Sequence, residues 1–432
     1  MNLKIFFLTL LFITSSIYAS DNIQLIKKQN SDSNTTLLVI GGIHGNEPGA
    51  YYAASILATH YNIKSKNLWV IPNLNKKSIM ENRRGIHGDM NRKFSGMKKG
   101  DKDKNIVNEV KKIILSKNVS LVLNLHDGHG FYRKNYQGSI FNPAAWGQSC
   151  VIDQCTLEDE QEFGNLNNIA STVKSNINTK LIQKHHSFNV KNTKTKNGDK
   201  AMQLSLTYFA VTNNKPAFAI ETSKNLSNLS QKVYYQLIAI EEFMKIMNIS
   251  FTRNFDLNIK NIKEIIKQYG FLTINDNIKL NLSNIKKSLR FVPIKLAGNR
   301  FNFSNPLGGI KKVRGKYLVY IGSKKITTLK PQYFKVSNNC QEKFDVMVDG
   351  DKISVNKASS FFVNDDFRIL KSKNSRVNII GYQGKKHSDE SNINIELNDL
   401  QKRFSLDKNN KVYRIEFYNK NNFCFMSTVN FK

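Results

Sequence analysis

Between residues 36 and 223 the sequence places four short, almost uninterrupted apolar runs, TLLVIGG, NLWVIPNLN, SLVLNLHDG and PAFAIETS, among segments with helical periodicity. A strand that is apolar on both faces must be covered on both faces, so runs of this kind read as interior strands of an α/β sheet. The helical segments supply the covers: Pro48 to His60, Asp103 to Leu115, Leu157 to about Asn176, and Ser230 to Met247. The last is the clearest, with a serine at its start and apolar residues at helical spacing. The expectation is an α/β domain with helices on both faces of its sheet.

After about residue 250 the texture changes. One short helix, NIKNIKEIIKQYG, stops on Gly270, and beyond it come only strand-like pieces such as KYLVYIG, FDVMVDG and RVNIIGYQG. Asp349-Gly350 is a tight hairpin signal. A chain of 432 residues exceeds one ordinary core. The division expected is an α/β domain over 20–250, a small β module over 251–338 and a β-sandwich over 339–432.

The first residues read as an export signal. Lys4, an apolar run from Ile5 to Ile13, and small residues at Ala19 and Ser20 make residues 1–19 a cleavable signal peptide. No later stretch is long and apolar enough to insert stably in a membrane, so the expected location is the periplasm. The formal charge of +32 favours an anionic partner, but the lysines are scattered and no nucleic-acid signature accompanies them. Nucleic acid is therefore not expected as a partner. An exported chain can pair its four cysteines. Cys150 and Cys155 bracket a short loop and make the stronger pair; Cys340 and Cys424 lie where they could staple the last segment.

Three of the four strands end in residues suited to metal or proton chemistry: His44 and Glu47 after the first, His126 and Asp127 at the third, Glu221 at the last. Ligands of open α/β sheets gather at the carboxyl ends of strands. A catalytic zinc needs three ligands of His, Asp or Glu type and one open position. His44 and Glu47 can give two from one glycine-flanked turn and His126 the third, with His129 as a substitute; a capped helix start is the plainer reading of His44 and Glu47 alone. Asp127 points to the opposite side of its strand and is expected to support the site, not to ligate. In ENRRGIHGDMNRKFSG, Asn91 and Arg92 could clamp a terminal carboxylate, and Arg84, or else Arg83, could stabilise a developing oxyanion. A solvated basic loop is the alternative. Glu221, at the end of an apolar strand, suits a general base that moves a proton from water to a leaving amine, unless it is a buried structural glutamate. Trp146 is a candidate for the pocket wall or for the core.

GGIHGNEPG, GDMNRKF, LNLHDG and AIETS, in that order, resemble the zinc metallocarboxypeptidase superfamily, the carboxypeptidase A-like peptidases. The layout is most similar to the bacterial peptidoglycan D,L-carboxypeptidases that set helical cell shape. The resemblance implies a mixed-sheet carboxypeptidase domain followed by a small β-barrel-like module and an immunoglobulin-like sandwich. It implies one zinc ion on His44, Glu47 and His126, a carboxylate site at Asn91 and Arg92, and catalysis by Glu221. Tyr208 is the candidate for the mobile tyrosine of the digestive enzymes. The implied reaction is removal of the terminal meso-diaminopimelate from a muropeptide tripeptide, which trims the wall and influences cell shape. Some members of that group carry glutamine where this chain has His44. The partners expected are peptidoglycan muropeptides, with envelope proteins docking on the C-terminal β domains. Two alternatives stand: a deacylase of N-acyl amino acids of the aspartoacylase/succinylglutamate desuccinylase type, and a non-catalytic wall-binding scaffold.

Overall fold

The computed structural model describes residues 23–30, 33–159, 161–337, 339–373, 375–384 and 388–432. The proposed signal peptide, residues 1–19, lies outside them. The centre of the N-terminal half is a mixed seven-stranded sheet. In chain order its strands are β1 (Ile26–Lys28), β2 (Thr36–Ile40), β3 (Asn67–Ile71), β4 (Val119–Gly128), β5 (Ser149–Ile152), β6 (Asn189–Asn192) and β7 (Ala217–Ser223). Across the sheet they run β1-β3-β2-β4-β7-β5-β6. The β3, β2, β4 and β7 strands are mutually parallel, β5 runs antiparallel to β7, and β6 runs parallel to β5. The four apolar runs are β2, β3, β4 and β7, and their apolar residues are buried on both faces, as such runs require.

The helices α1 (Pro48–His60), α4 (Leu166–Asn178) and α6 (Leu229–Ile246) pack together on one face. The short α2 (Lys76–Met80) leaves β3, and α3 (Lys104–Ile114) and α5 (Leu206–Thr212) cover β4 and β7. The helix expected from Leu157 begins only at Leu166. Asn165 accepts the amide of Asn168 there and fixes the start, and a turn at Glu162 and Phe163 precedes it.

A last helix, α7 (Ile259–Lys267), leads into the β half. There the strands Phe271–Ile274 and Ile278–Asn281 share a sheet with Val412–Asn419 and Asn422–Phe431, so one sheet joins the middle and C-terminal regions. A separate apolar core lies within 344–431. Asp349 and Gly350, at φ 49° and 92°, turn the hairpin between Lys343–Val348 and Asp351–Asn356. The middle region docks on the α/β half: Asn73 donates to the Pro306 carbonyl at 2.7 Å, and Gly322 lies against Tyr51 and Tyr52. Among the described residues no helix is long and apolar enough to cross a membrane.

Of the two expected cysteine pairs one forms, and the stronger expectation, Cys150 with Cys155, needs correction. The disulfide is Cys340–Cys424, which closes 84 residues with its Cα atoms 5.7 Å apart. Cys150 and Cys155 are free. Cys150 is on β5 and buried in the core, whereas Cys155 lies in the exposed turn beyond it, where Asn192 donates to its sulfur.

Candidate metal centre

The loop after β2 is built by close approach. Gly42 takes φ 76°, a conformation that side chains resist, and turns the chain out of the sheet. A Cβ on Gly45 would stand 2.1 Å from the backbone of Ser78 at α2, so only glycine lets the two segments touch. The turn delivers Glu47 to the N-cap position of α1 with Pro48 in the first turn, but the Glu47 side chain makes no capping bond. Its carboxylate turns inward instead. Oε1 meets His44 Nδ1 at 2.9 Å and Oε2 meets His126 Nδ1 at 2.9 Å. That geometry separates the capping reading of Glu47 from the ligand reading.

The three residues are 2%, 2% and 3% exposed for His44, Glu47 and His126. One ligand atom from each lies within 4.8 Å of the others, a group that could hold a metal ion. The donor set suits zinc: two imidazoles and a carboxylate, buried, drawn from one turn and one remote strand end. Burial alone would raise the Glu47 pKa, but the two histidines outweigh it and hold the carboxyl well below the ordinary range. Burial likewise works against a charged His44, and Glu47 and Asp89 outweigh it and raise its pKa.

The structure adds residues that the motifs alone did not name. Asp89 accepts from His44 Nε2 at 2.8 Å and from Arg84 Nε at 2.9 Å, and also takes the amide of Asn91 at 2.9 Å. Asp89 thus fixes the ring of a candidate ligand and the start of the Asn91–Arg92 turn together. The signal for it was local: an aspartate directly before a short turn is a capping residue. Lys224, just past β7, stands 3.6 Å from Glu47 Oε1. Gln236 on α6 donates to the His126 carbonyl at 2.7 Å. Neither had a sequence signal, because both contacts come from packing across the sheet.

Asp127 points away from the triad. It accepts from the Gly49 amide at 2.8 Å and the Thr222 hydroxyl at 2.6 Å, tying α1 to β4 and β7, and burial raises its pKa to about 6. The β4–β7 register sets Glu221 directly beside His126. Burial pushes the Glu221 pKa up to about 7, with the neighbouring His126 working against the rise. Arg84 bridges Glu47 at 3.2 Å and Asp89 from a half-exposed position, while Arg83 is exposed and its amide binds the Ser78 carbonyl. Asn91 accepts the Leu206 amide at the start of α5 at 2.9 Å. Arg92 donates to the Asn91 carbonyl at 2.9 Å and pairs with no carboxylate among the described residues. His129 is exposed and lies outside the triad, and Tyr208 sits in α5 with its amide donated to Ser205. Trp146 Cβ and Glu221 Oε2 lie 2.6 and 2.8 Å from the Cβ position that Gly128 lacks, so Trp146 adjoins the Glu221 carboxylate.

A family described as the catalytic region of carboxypeptidases controlling helical cell shape matches residues 3–267. A second, described as the C-terminal domain of metallo-carboxypeptidase, matches residues 337–432. The apo crystal structure of the cell shape determinant protein Csd4 from Helicobacter pylori is 33% identical, with a TM-score of 0.88, and the match covers 95% of this chain and 100% of that one. The tripeptide-bound Csd4 structure is 34% identical at a TM-score of 0.87, with the same coverage. The mDAP-bound form of Csd4, described as a D,L-carboxypeptidase, is 34% identical at 0.88 and covers 94% of this chain and 100% of that one. No curated protein sequence matches the chain.

Proposed function

The chain belongs to the carboxypeptidases controlling helical cell shape, and we propose that it is a zinc-dependent peptidoglycan D,L-carboxypeptidase. Its substrate is the muropeptide tripeptide, its products the dipeptide and meso-diaminopimelate, and its place of work the periplasm, reached through residues 1–19. The observation that carries this reading is the buried His44–Glu47–His126 group beside Glu221, in a chain that spans the full length of a relative solved with tripeptide and with mDAP. The Cys340–Cys424 disulfide agrees with an oxidising compartment.

His44, Glu47 and His126 would hold one zinc ion, which when bound supplies Lewis acidity to the scissile carbonyl and lowers the pKa of water. The remaining steps belong to the chain. Asn91 and Arg92 take the terminal carboxylate of the tripeptide in a charge-assisted grip and fix the scissile bond in register. Glu221, with its pKa raised to about 7, accepts a proton from the attacking water and returns it to the leaving amine. Arg84 turns its guanidinium to the charge that develops on the carbonyl oxygen. Asp89 keeps His44 and Arg84 in place throughout.

The test is incubation of the purified protein with tripeptide, tetrapeptide and pentapeptide muropeptides, with and without chelator. Loss of one residue from the tripeptide, abolished by chelator and restored by zinc, is the expected result. Turnover only of N-acyl amino acids, or binding without turnover, overturns the reading.

A further inference from the structure

Beside Glu221 stands a cation, Lys191, that pairs with no carboxylate among the described residues. In the sheet, Glu221 on β7 faces Ser149 on β5, which faces Asn189 on β6. Two residues along, Ala219, Val151 and Lys191 form the adjoining row. Alternate residues of a strand share a face, so Lys191 is on the face that carries Glu221. Its ammonium lies 4.4 Å from the ring centre of Tyr132 and 4.6 Å from that of Trp146. It donates to the main-chain carbonyls of Pro143 at 2.7 Å and Ala145 at 3.0 Å.

These four contacts pin the ammonium to the loop whose Trp146 adjoins the Glu221 carboxylate. Two of its three protons are used, and the acceptors are neutral. Among the described residues no carboxylate comes within ion-pair distance of Lys191. Burial lowers its pKa, and the charge of Glu221 acts in the opposite direction. The carbonyls and ring faces hold the ammonium in place without neutralising its charge, so an anionic group of a ligand would meet a cation already immobilised.

We infer that Lys191 reads the second carboxylate of the leaving residue. The inference rests on the proposed substrate. Meso-diaminopimelate is lysine with an added carboxylate on its far carbon. With the terminal carboxylate held at Asn91 and Arg92, that far carboxylate is the anion the third proton of Lys191 can meet. A leaving lysine brings only an ammonium there, which Lys191 repels, so one residue both attracts the correct side chain and disfavours its closest analogue.

The test pairs Lys191→Met and Lys191→Arg, each loaded with zinc, with tripeptides ending in meso-diaminopimelate or in lysine. Lys191→Met is expected to lose roughly 10- to 100-fold in kcat/KM on the diaminopimelate substrate, as loss of a charge pair does, and to gain on the lysine substrate as the repulsion is removed. Lys191→Arg recovers part of the loss. Calorimetry with free meso-diaminopimelate and free lysine supplies a readout without turnover: the wild-type preference for the former disappears in Lys191→Met. Equal losses on both substrates, or a binding preference that survives in Lys191→Met, would show that Lys191 only braces the loop and would overturn the inference. If the wild type cleaves neither tripeptide but keeps a Lys191-dependent binding preference, the proposed reaction fails and the inference stands; if that preference is missing too, both fail.

Discussion

Replacing Glu47 by glutamine changes one atom at the centre of the candidate metal site. The carboxylate engages four groups: His44 at 2.9 Å and Arg84 at 3.2 Å on Oε1, His126 at 2.9 Å and the Asp127 amide at 3.2 Å on Oε2. An amide offers one accepting atom, so whichever way it turns, two of these groups meet an N–H2 group instead. With the amide nitrogen turned to the Oε1 side, Arg84 can reach water from its half-exposed position and only His44 is a buried group left without its acceptor, so the metal-free variant should lose about 1–3 kcal/mol. When the α/β half, roughly 230 residues, unfolds as one unit, each kcal/mol moves Tm by about 2–4 °C. Metal binding should fall as well, since the carboxylate is the anionic member of the ligand set. Free zinc at about 1,000 times Kd stabilises a folded protein by about 4.1 kcal/mol, or roughly 8–16 °C, and Glu47→Gln should forfeit most of that gain. Metal content after dialysis and thermal unfolding with and without zinc measure both effects. A variant that retains one zinc per chain and unfolds at the wild-type temperature would refute the assignment.

Glu221→Gln is the counterpart: turnover of the tripeptide should fall by about 10²–10⁴-fold while zinc content and Tm stay near wild type, and loss of zinc would move Glu221 from base to ligand. Burial is the largest cause that raises the Glu221 pKa to about 7, against the pull of His126, and the group accepts a proton only when ionised, so kcat/KM should be present above its pKa and lost as pH falls through it. A bound divalent cation favours the carboxylate, so a pH profile of the zinc enzyme should show that acid limb below 7, and the profile of Glu221→Gln should lack it. Gly45→Ala should fail to accumulate as folded protein, because its Cβ would lie 2.1 Å from the Ser78 backbone, which has no side-chain freedom to yield; normal expression and Tm would contradict the close approach. Under native conditions one thiol should react quickly with a thiol reagent, the exposed Cys155, while Cys150 reacts only on unfolding, its pKa raised by burial; two fast thiols would contradict the burial of Cys150.

The α/β half was open to the sequence because its strands are apolar on both faces and its helices periodic, which are properties of consecutive residues. Helix starts were less so: from Leu157 to Gly164 the only large apolar side chains are Leu157 and Phe163, six residues apart and off any one helical face, and the Asn165 cap decides the start. Cysteine pairing followed the same logic. Nearness in sequence favoured Cys150 with Cys155, and the strand that buries one and the turn that exposes the other separate them.

By itself the sequence determined which residue types end which strands: His44, Glu47, His126 and Glu221, with Asn91 and Arg92 between them in the chain. Their order and glycine setting are local facts, and local facts survive in one dimension. Only the tertiary structure decided which atoms meet. It turned Glu47 from a helix cap to a group held by two histidines, placed Asp89 behind His44, and set Lys191, with no carboxylate beside it among the described residues, on the face of Glu221. The physical reason is register. Neighbouring strands of a sheet bring together residues far apart in the chain, and a shift of one residue would turn His126, Glu221 or Lys191 to the other face, while His44, Glu47 and Asp89 reach the site from loops.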